Sequence, residues 1–312
     1  MERPTLRQLE YAVAVADHQH FGRAAEAVAV SQPGLSGQIQ ELERRLGVTL
    51  FERSSRGVTL TPAGVELIAR SRAVLRDVDE LVNAAGAFDG ELKGRLRVGA
   101  IPTVAPYLLP ATVQVLRSEW PELTLELDEE QTHRLVAAVE AGTADLGLLA
   151  LPVETGALRV APIVDEAFVL TMPESHALAA PGPVDVQTLA DVPVLLMEDG
   201  HCLRDHALSV CATAGEVEHS TVHAASLGTL AQMVASGLGV TLLPASSLAV
   251  ETRPGTGLSN RRFVAPEPVR TIGLVWRRSD PRADSYELLV ERLRERFEGI
   301  IRDSLVASGT TV

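Results

Sequence analysis

Apolar residues recur at helical spacing in three blocks at the start of the chain. Leu6, Leu9, Val13 and Ala16 mark a first helix, and Phe21, Ala24, Ala25 and Val28 a short second one. Leu35, Ile39, Leu42 and Leu46 form the buried stripe of a third. Ser31 reads as the N-cap of that helix, Pro33 lies in its first turn, where a missing N–H costs little, and Gly47 is its stop. The run VTLFERSSRGVTLTPAG then changes to two short strand patterns around a turn that holds Arg53 and Arg56. Three helices followed by a hairpin predict a winged helix-turn-helix over residues 1–61.

Thr61 and Pro62 open a longer helical pattern. Positions 64, 68, 71, 75, 78, 82 and 85 read Gly, Ile, Ser, Leu, Val, Val and Ala, a heptad seam that predicts pairing of two copies; an ordinary amphipathic helix is the alternative. GAFDGELKG breaks the helix, so residues 62–92 form a linker and hinge. Beyond it, strand and helix patterns alternate. RLRVGAI, LTLELDE and ADLGLLAL are strands with helices near Pro106 and Thr132 between them. AFVLTMP, PVLLME, STVHAA, GVTLLP and RTIGLVWR follow, and a helix over 283–303 closes the chain. This order predicts two α/β lobes with parallel sheets over residues 93–312, lobe I from about 93–165 and 270–305, lobe II from about 166–269. Ligands in such sheets sit beyond the carboxyl ends of strands, which places Thr103, Thr132, Cys202 and Ser226 at one crevice.

Charge narrows the function. The net charge is −13 in 312 residues, which argues against a protein that coats nucleic acid without specificity but leaves room for a local DNA-reading module. The exposed face of the third helix carries Pro33, Ser36, Gly37, Gln40 and Arg44; Ser and Gln there can bond base edges in a major groove, and Arg53 and Arg56 of the wing can reach phosphates. A three-helix core with a solvated face is the plainer reading. The first residues are polar and no apolar run is long enough to span a bilayer, so a cytoplasmic, reducing setting without membrane contact is expected.

Both cysteines of the chain stand in EDGHCLRDHALSVCATAG, nine residues apart. In a reducing compartment such a pair points to catalysis, redox sensing or metal binding before a structural staple. Cys202 opens a helical pattern, where the positive end of the helix dipole, His201, Arg204 and, across the cleft, Arg270 favour thiolate over a free thiol of pKa about 8.5. A thiolate oxidised by peroxide to sulfenic acid condenses with a second thiol, and Cys211 is the only other one. If residues 202–211 are helical, the two Cα atoms are about 13.5 Å apart on opposite faces, whereas a disulfide needs roughly 7 Å or less. Closing the bond then requires the helix to unwind. A zinc site from His201, Cys202, His206 and Cys211 is a rival reading that lacks paired ligand spacing. Two inert buried thiols, or a thiol peroxidase turning over at Cys202, are others.

AAEAVAVSQPGLSGQIQELERRLGVTLFERSSRGVTLTPAG resembles the N-terminal segment of LysR-type transcriptional regulators. The resemblance implies groove-reading roles for Ser31, Gln32, Pro33 and Ser36, although many members carry Arg where this chain has Gly37. It also implies two C-terminal lobes like those of periplasmic binding proteins. GHCLRD with the second Cys, IPTVAPYLLP, QTHRLVAAVEAG and RTIGLV resemble the hydrogen-peroxide-sensing subfamily. That implies Cys202 as the reacting thiol, Cys211 as the resolving one, and peroxide binding and proton handling by Thr103, Thr132, His201, Arg204, Asp205 and Arg270. It further implies assembly as a dimer or tetramer, double-stranded promoter DNA and RNA polymerase as partners, a thiol reductant system for reset, and no cofactor or metal. A regulator that senses a small organic effector in the same cleft, with structural cysteines, is the nearest alternative.

Overall fold

The computed structural model describes residues 3–54, 57–87, 92–215 and 219–310. The chain divides into two units, residues 1–85 and 86–312.

In the first unit, α1 (Leu6–His18), α2 (Phe21–Ala27) and α3 (Gln32–Leu46) pack around Leu9, Val15, Phe21, Leu35, Ile39 and Leu42. Thr5 and Gln8 form a reciprocal capping box on α1. The Ser31 hydroxyl accepts from the Gly34 N–H, and Gly47, with φ +73°, ends α3 in the left-handed region where glycine carries no Cβ penalty. β1 (Phe51–Ser54) and β2 (Gly57–Leu60) pair antiparallel as the wing. The Glu43 carboxylate accepts from Leu50 and Phe51 N–H, which ties the end of α3 to the wing.

Helix α4 spans Pro62–Ala87. The first half of the predicted pairing seam is spent inside this unit. A Cβ on Gly64 would lie 2.1 Å from the Leu50 carbonyl oxygen, Ile68 joins the N-terminal core, and the buried Ser71 hydroxyl donates to the Leu67 carbonyl. Further along, Val74 and Leu81 stand exposed, Leu81 by 70%, and with half-buried Val78 they fall on one helical stripe. The free apolar stripe is therefore shorter than the sequence seam and begins later.

The second unit contains β3 (Gly94–Ala100), α5 (Ala105–Glu119), β4 (Leu123–Glu129), α6 (Thr132–Glu140) and β5 (Leu146–Leu151). Then come β6 (Leu158–Pro173), β7 (Val194–Met197), α7 (Cys202–Ala214), β8 (His219–Ala224), α8 (Leu227–Ala235) and β9 (Thr241–Pro244). Short α9 (Leu248–Glu251), β10 (Leu258–Arg261), β11 (Val269–Arg277) and α10 (Ala283–Ala307) complete it. β4, β3 and β5 are parallel, as the βαβαβ pattern requires. The sheet is nonetheless mixed: β11 runs antiparallel to β5, and β6 antiparallel to β11, so the expectation of purely parallel sheets is corrected. A long strand makes the difference. The first part of β6 pairs with β11, and its last six residues pair with β9 and β10 in the second lobe. It carries Pro162 and a register shift at Ile163, the features that hid its first half from the sequence pattern, since proline interrupts a strand reading.

Candidate functional site

Three strand-to-helix turns meet between the lobes. The turn after β3 supplies Ile101, Pro102 and Thr103, the turn after β4 supplies Gln131 and Thr132, and the turn after β7 supplies Gly200, His201 and Cys202. They line one tight crevice. Each turn is held where it is by a local feature of sequence. Gly99 lets α6 approach β3, for a Cβ there would lie 2.3 Å from Leu135, and so sets Thr132 at the crevice. Gly200 has φ +93°, and its open face is covered by the Gln131 carboxamide at 3.1 Å from where a Cβ would stand. This contact joins the two lobes directly beside Cys202.

Cys202 is the first residue of α7 and half-buried. The N-cap is His201, buried, whose side chain makes no capping bond. Its Nε2 lies 3.7 Å from Glu198 Oε1. The N–H groups of the first turn thus receive no side-chain acceptor from the cap, and the positive end of the helix dipole is left toward the thiol. Thr132 is the first residue of α6 while Gln131 is its N-cap, so Thr132 is not the capping residue. Its Oγ1 is buried and has no hydrogen-bond partner.

Thr103 is fixed from behind by Arg270. The guanidinium donates to Thr103 Oγ1 at 3.0 Å and to the Thr103 carbonyl at 3.1 Å. Because Oγ1 accepts this charged hydrogen bond from Arg270, the Thr103 hydroxyl hydrogen is free to serve another acceptor. Arg270 is itself fully buried against Glu166, with Nε to Oε1 at 2.7 Å, and Glu166 Oε2 accepts from the Ser246 N–H at 3.1 Å. A buried cation requires such a partner. Glu166 was not singled out in the sequence; the available signal was one acid entering an otherwise apolar strand run, EAFVLTMP.

The structure therefore gathers Thr103, Thr132, His201 and Cys202, with Arg270 one layer behind. It does not bring in Arg204, Asp205 or Ser226. Arg204, two residues beyond Cys202, turns to the Met197 carbonyl and to Asp199 at 2.9 Å, with His223 Nδ1 at 3.5 Å. Asp205 is exposed in the first turn of α7, and Ser226 caps α8 by accepting from Thr229 N–H.

Cys211 lies on the same helix, which is continuous from Cys202 to Ala214. Both thiols are free. Cys211 is buried with Leu203, Ala207, Val210 and Ala214 in the main core, and burial pushes its thiol up to about 11. It is a protonated, inaccessible group in this fold. Among the described residues no group of three or more His, Cys, Asp or Glu is arranged to hold a metal ion. No helix among them is long and apolar enough to cross a membrane.

The other predicted site lies on α3. Ser31, Gln32, Pro33, Gly37 and Gln40 are exposed, and Ser36 is half-buried. Near the C-terminal end, Glu41 takes a bidentate bond from Arg44 at 2.8 and 2.7 Å and another from Arg45 at 2.7 Å, which hold its carboxyl down at about 2. The exposed start of the helix is consequently polar and uncharged. Arg53 pairs with Val58 inside the wing and is not a turn residue, a correction to the sequence expectation; Arg56 lies outside the described residues.

Comparison with known proteins gives the family of both units. Residues 6–65 match the bacterial regulatory helix-turn-helix domain of the LysR family, and residues 89–298 match the LysR substrate binding domain. The DNA-binding transcriptional dual regulator OxyR of Escherichia coli K12 is 45% identical over 294 residues, covering 94% of this chain and 96% of that one. A probable hydrogen peroxide-inducible genes activator of Streptomyces viridosporus is 44% identical over 306 residues, covering 96% and 98%. Among solved structures, a Cys-to-Ser variant of Corynebacterium glutamicum OxyR with bound H2O2 superposes with a TM-score of 0.70 at 36% identity, covering 100% of this chain and 98% of that one. Full-length OxyR from Pseudomonas aeruginosa, as a Cys-to-Asp variant, gives 0.72 at 39% identity, covering 94% and 96%. The chain belongs to the LysR family of bacterial helix-turn-helix transcriptional regulators, within its OxyR subfamily.

Proposed function

We propose that this regulator responds to hydrogen peroxide through Cys202 and Cys211. The observation that carries the reading is the placement of Cys202 at an uncapped helix start facing Thr103 and the unpartnered Thr132 hydroxyl, with a second thiol buried on the same helix. The Cys202 thiolate attacks one peroxide oxygen, the O–O bond breaks, and the second oxygen leaves as hydroxide that takes up a proton to become water. Thr103 and Thr132 supply hydrogen bonds to the two oxygens. Cys211 then attacks the sulfenic sulfur and displaces a second water, leaving a disulfide. Nine helical residues hold the two Cα atoms about 13.5 Å apart, so the second step demands that α7 come apart. Unwinding α7 is the conformational event that the rest of the regulatory unit passes on to DNA binding.

On the DNA side, Ser31, Gln32, Pro33, Ser36 and Gln40 on α3 read a major groove, and Arg53 and Arg56 of the wing meet phosphates. The exposed stripe of α4 pairs two copies, predicting half-sites about 10 bp or a multiple apart. A dimer or tetramer, contact with RNA polymerase, and reset by a cellular thiol reductant in the cytoplasm complete the reading.

The test is intact-mass and thiol counting of reduced protein before and after one equivalent of hydrogen peroxide, with Cys202→Ser alongside. Loss of both thiols together with two hydrogens, absent in the variant, is expected. Two thiols surviving in the parent protein overturn the proposal.

A further inference from the structure

Behind Thr103 runs a line of buried polar groups that ends in an acid the reaction steps do not use. Glu166 stands directly across from Arg270 in the antiparallel β6–β11 ladder. Two residues later, at Phe168, β6 begins to pair with β9. The carboxylate therefore sits where the strand passes from one partner to the next, and it is bonded on both sides. Oε1 accepts from Arg270 Nε at 2.7 Å, and Oε2 accepts from the Ser246 N–H just beyond β9 at 3.1 Å. The other edge of the guanidinium is spent on Thr103, with Nη1 at 3.0 Å from Oγ1 and Nη2 at 3.1 Å from the carbonyl. A planar fork held at both edges has one orientation. The Arg270 and Glu166 side chains are fully buried against each other, so their charges offset, and what Arg270 passes on to Thr103 is placement. The turn that carries Thr103 has a second, independent anchor. Tyr107 in the first turn of α5 donates to Glu251 Oε1 on α9 at 2.6 Å, and α9 is tied to α10 by the Ala249 N–H donating to Ser304 Oγ at 2.9 Å. Loosening Glu166 consequently frees the Thr103 side chain without releasing the turn.

We infer that Glu166 is a positioning residue for peroxide reduction: it fixes the plane of Arg270 and, through it, the place of the Thr103 hydroxyl beside Cys202. The inference rests on peroxide oxidation of Cys202 and adds to that reading a residue that does not itself line the crevice. The role is specific to a carboxylate of this length. Both oxygens accept, and their donors come from different strands and turns. A glutamine there has one acceptor and one donor, so either Arg270 or the Ser246 N–H meets a donor. An aspartate keeps the charge beside Arg270 but is one methylene too short to hold both partners.

The test measures two rates at Cys202 of the full-length protein, one with hydrogen peroxide and one with iodoacetamide. Iodoacetamide takes the same thiolate but needs no hydrogen bond from Thr103, so the quotient of the rates cancels any change in the amount of thiolate. In Glu166→Asp, with the circular dichroism of the parent, the quotient should fall at least about 10-fold, since a misplacement of about 1 Å costs up to about 100-fold. Glu166→Gln should fall at least as far. Thr103→Val should fall by a similar factor, and adding Glu166→Asp to it should change nothing more, because the hydroxyl that Glu166 places is already gone. A Glu166 that only stabilises the fold lowers thermal unfolding in its variants and leaves the quotient at the parent value. That result overturns the inference, and so does a full additional fall on the Thr103→Val background. A parent protein whose Cys202 alkylates but never reacts with peroxide overturns the peroxide reading itself, and this inference with it.

Discussion

Helices α3 and α7 both follow a tight turn and both present chemistry at their first residues, yet their N-termini are finished in opposite ways. α3 is capped by Ser31, and its leading residues Gln32 and Pro33 are open to water. α7 has His201 at its N-cap without a side-chain capping bond, and its first residue, Cys202, lines a tight crevice. A satisfied, exposed helix start suits a large polar surface such as a DNA groove, because nothing at the terminus competes for a partner. An unsatisfied, enclosed start suits a small group that takes negative charge as it reacts. Here the same local device, a helix start, is finished in two ways by capping and burial.

The comparison can be broken most severely at α7 itself. Cys202→Ser should remove all peroxide-dependent thiol loss, while Cys211→Ser should stop at a gain of one oxygen; mass spectrometry after a peroxide pulse checks both. Next comes the support behind Thr103. Glu166→Gln strands the buried Arg270 guanidinium and should cost about 3–5 kcal/mol, read by urea unfolding. At α3, Ser31→Ala removes a cap and should cost about 1 kcal/mol of the N-terminal unit's stability. Thr132→Val separates function from stability. Its hydroxyl has no partner, so the fold should be unchanged or stabilised by up to about 1 kcal/mol, while the peroxide rate falls about 10-fold, the equivalent of one lost hydrogen bond. A further effect is a pH drift. The Cys211 thiol is raised to about 11 in the fold, so the folded state keeps a proton that the unfolded chain releases nearer the ordinary thiol value of 9.0. The stability this contributes is fully present below pH 9.0 and is lost as pH rises to about 11; Cys211→Ala should flatten that limb.

The sequence pattern located both helix starts because each is announced by local chemistry: Ser31 before a polar-faced helix, and Gly200, His201 and Cys202 after an apolar strand. It also placed Thr103 and Thr132 at the ends of parallel strands, where the structure puts them beside Cys202. It went wrong where helix rotation or strand pairing decides the partner. Arg204 is two residues from Cys202 in sequence, but one hundred degrees per residue turns it to Asp199 and His223. Glu166 lies 104 residues from Arg270 and only strand pairing brings them together. The first half of the α4 seam was misplaced for a similar reason: Gly64, Ile68 and Ser71 have the right spacing for pairing, but their own unit already covers them.

The most direct test of the switch is amide hydrogen exchange of residues 202–214 in reduced protein and in protein that has lost two hydrogens to one equivalent of peroxide. The account predicts strong protection in the reduced helix and its loss in the oxidised form. A disulfide between Cys202 and Cys211 formed with α7 still protected would contradict it.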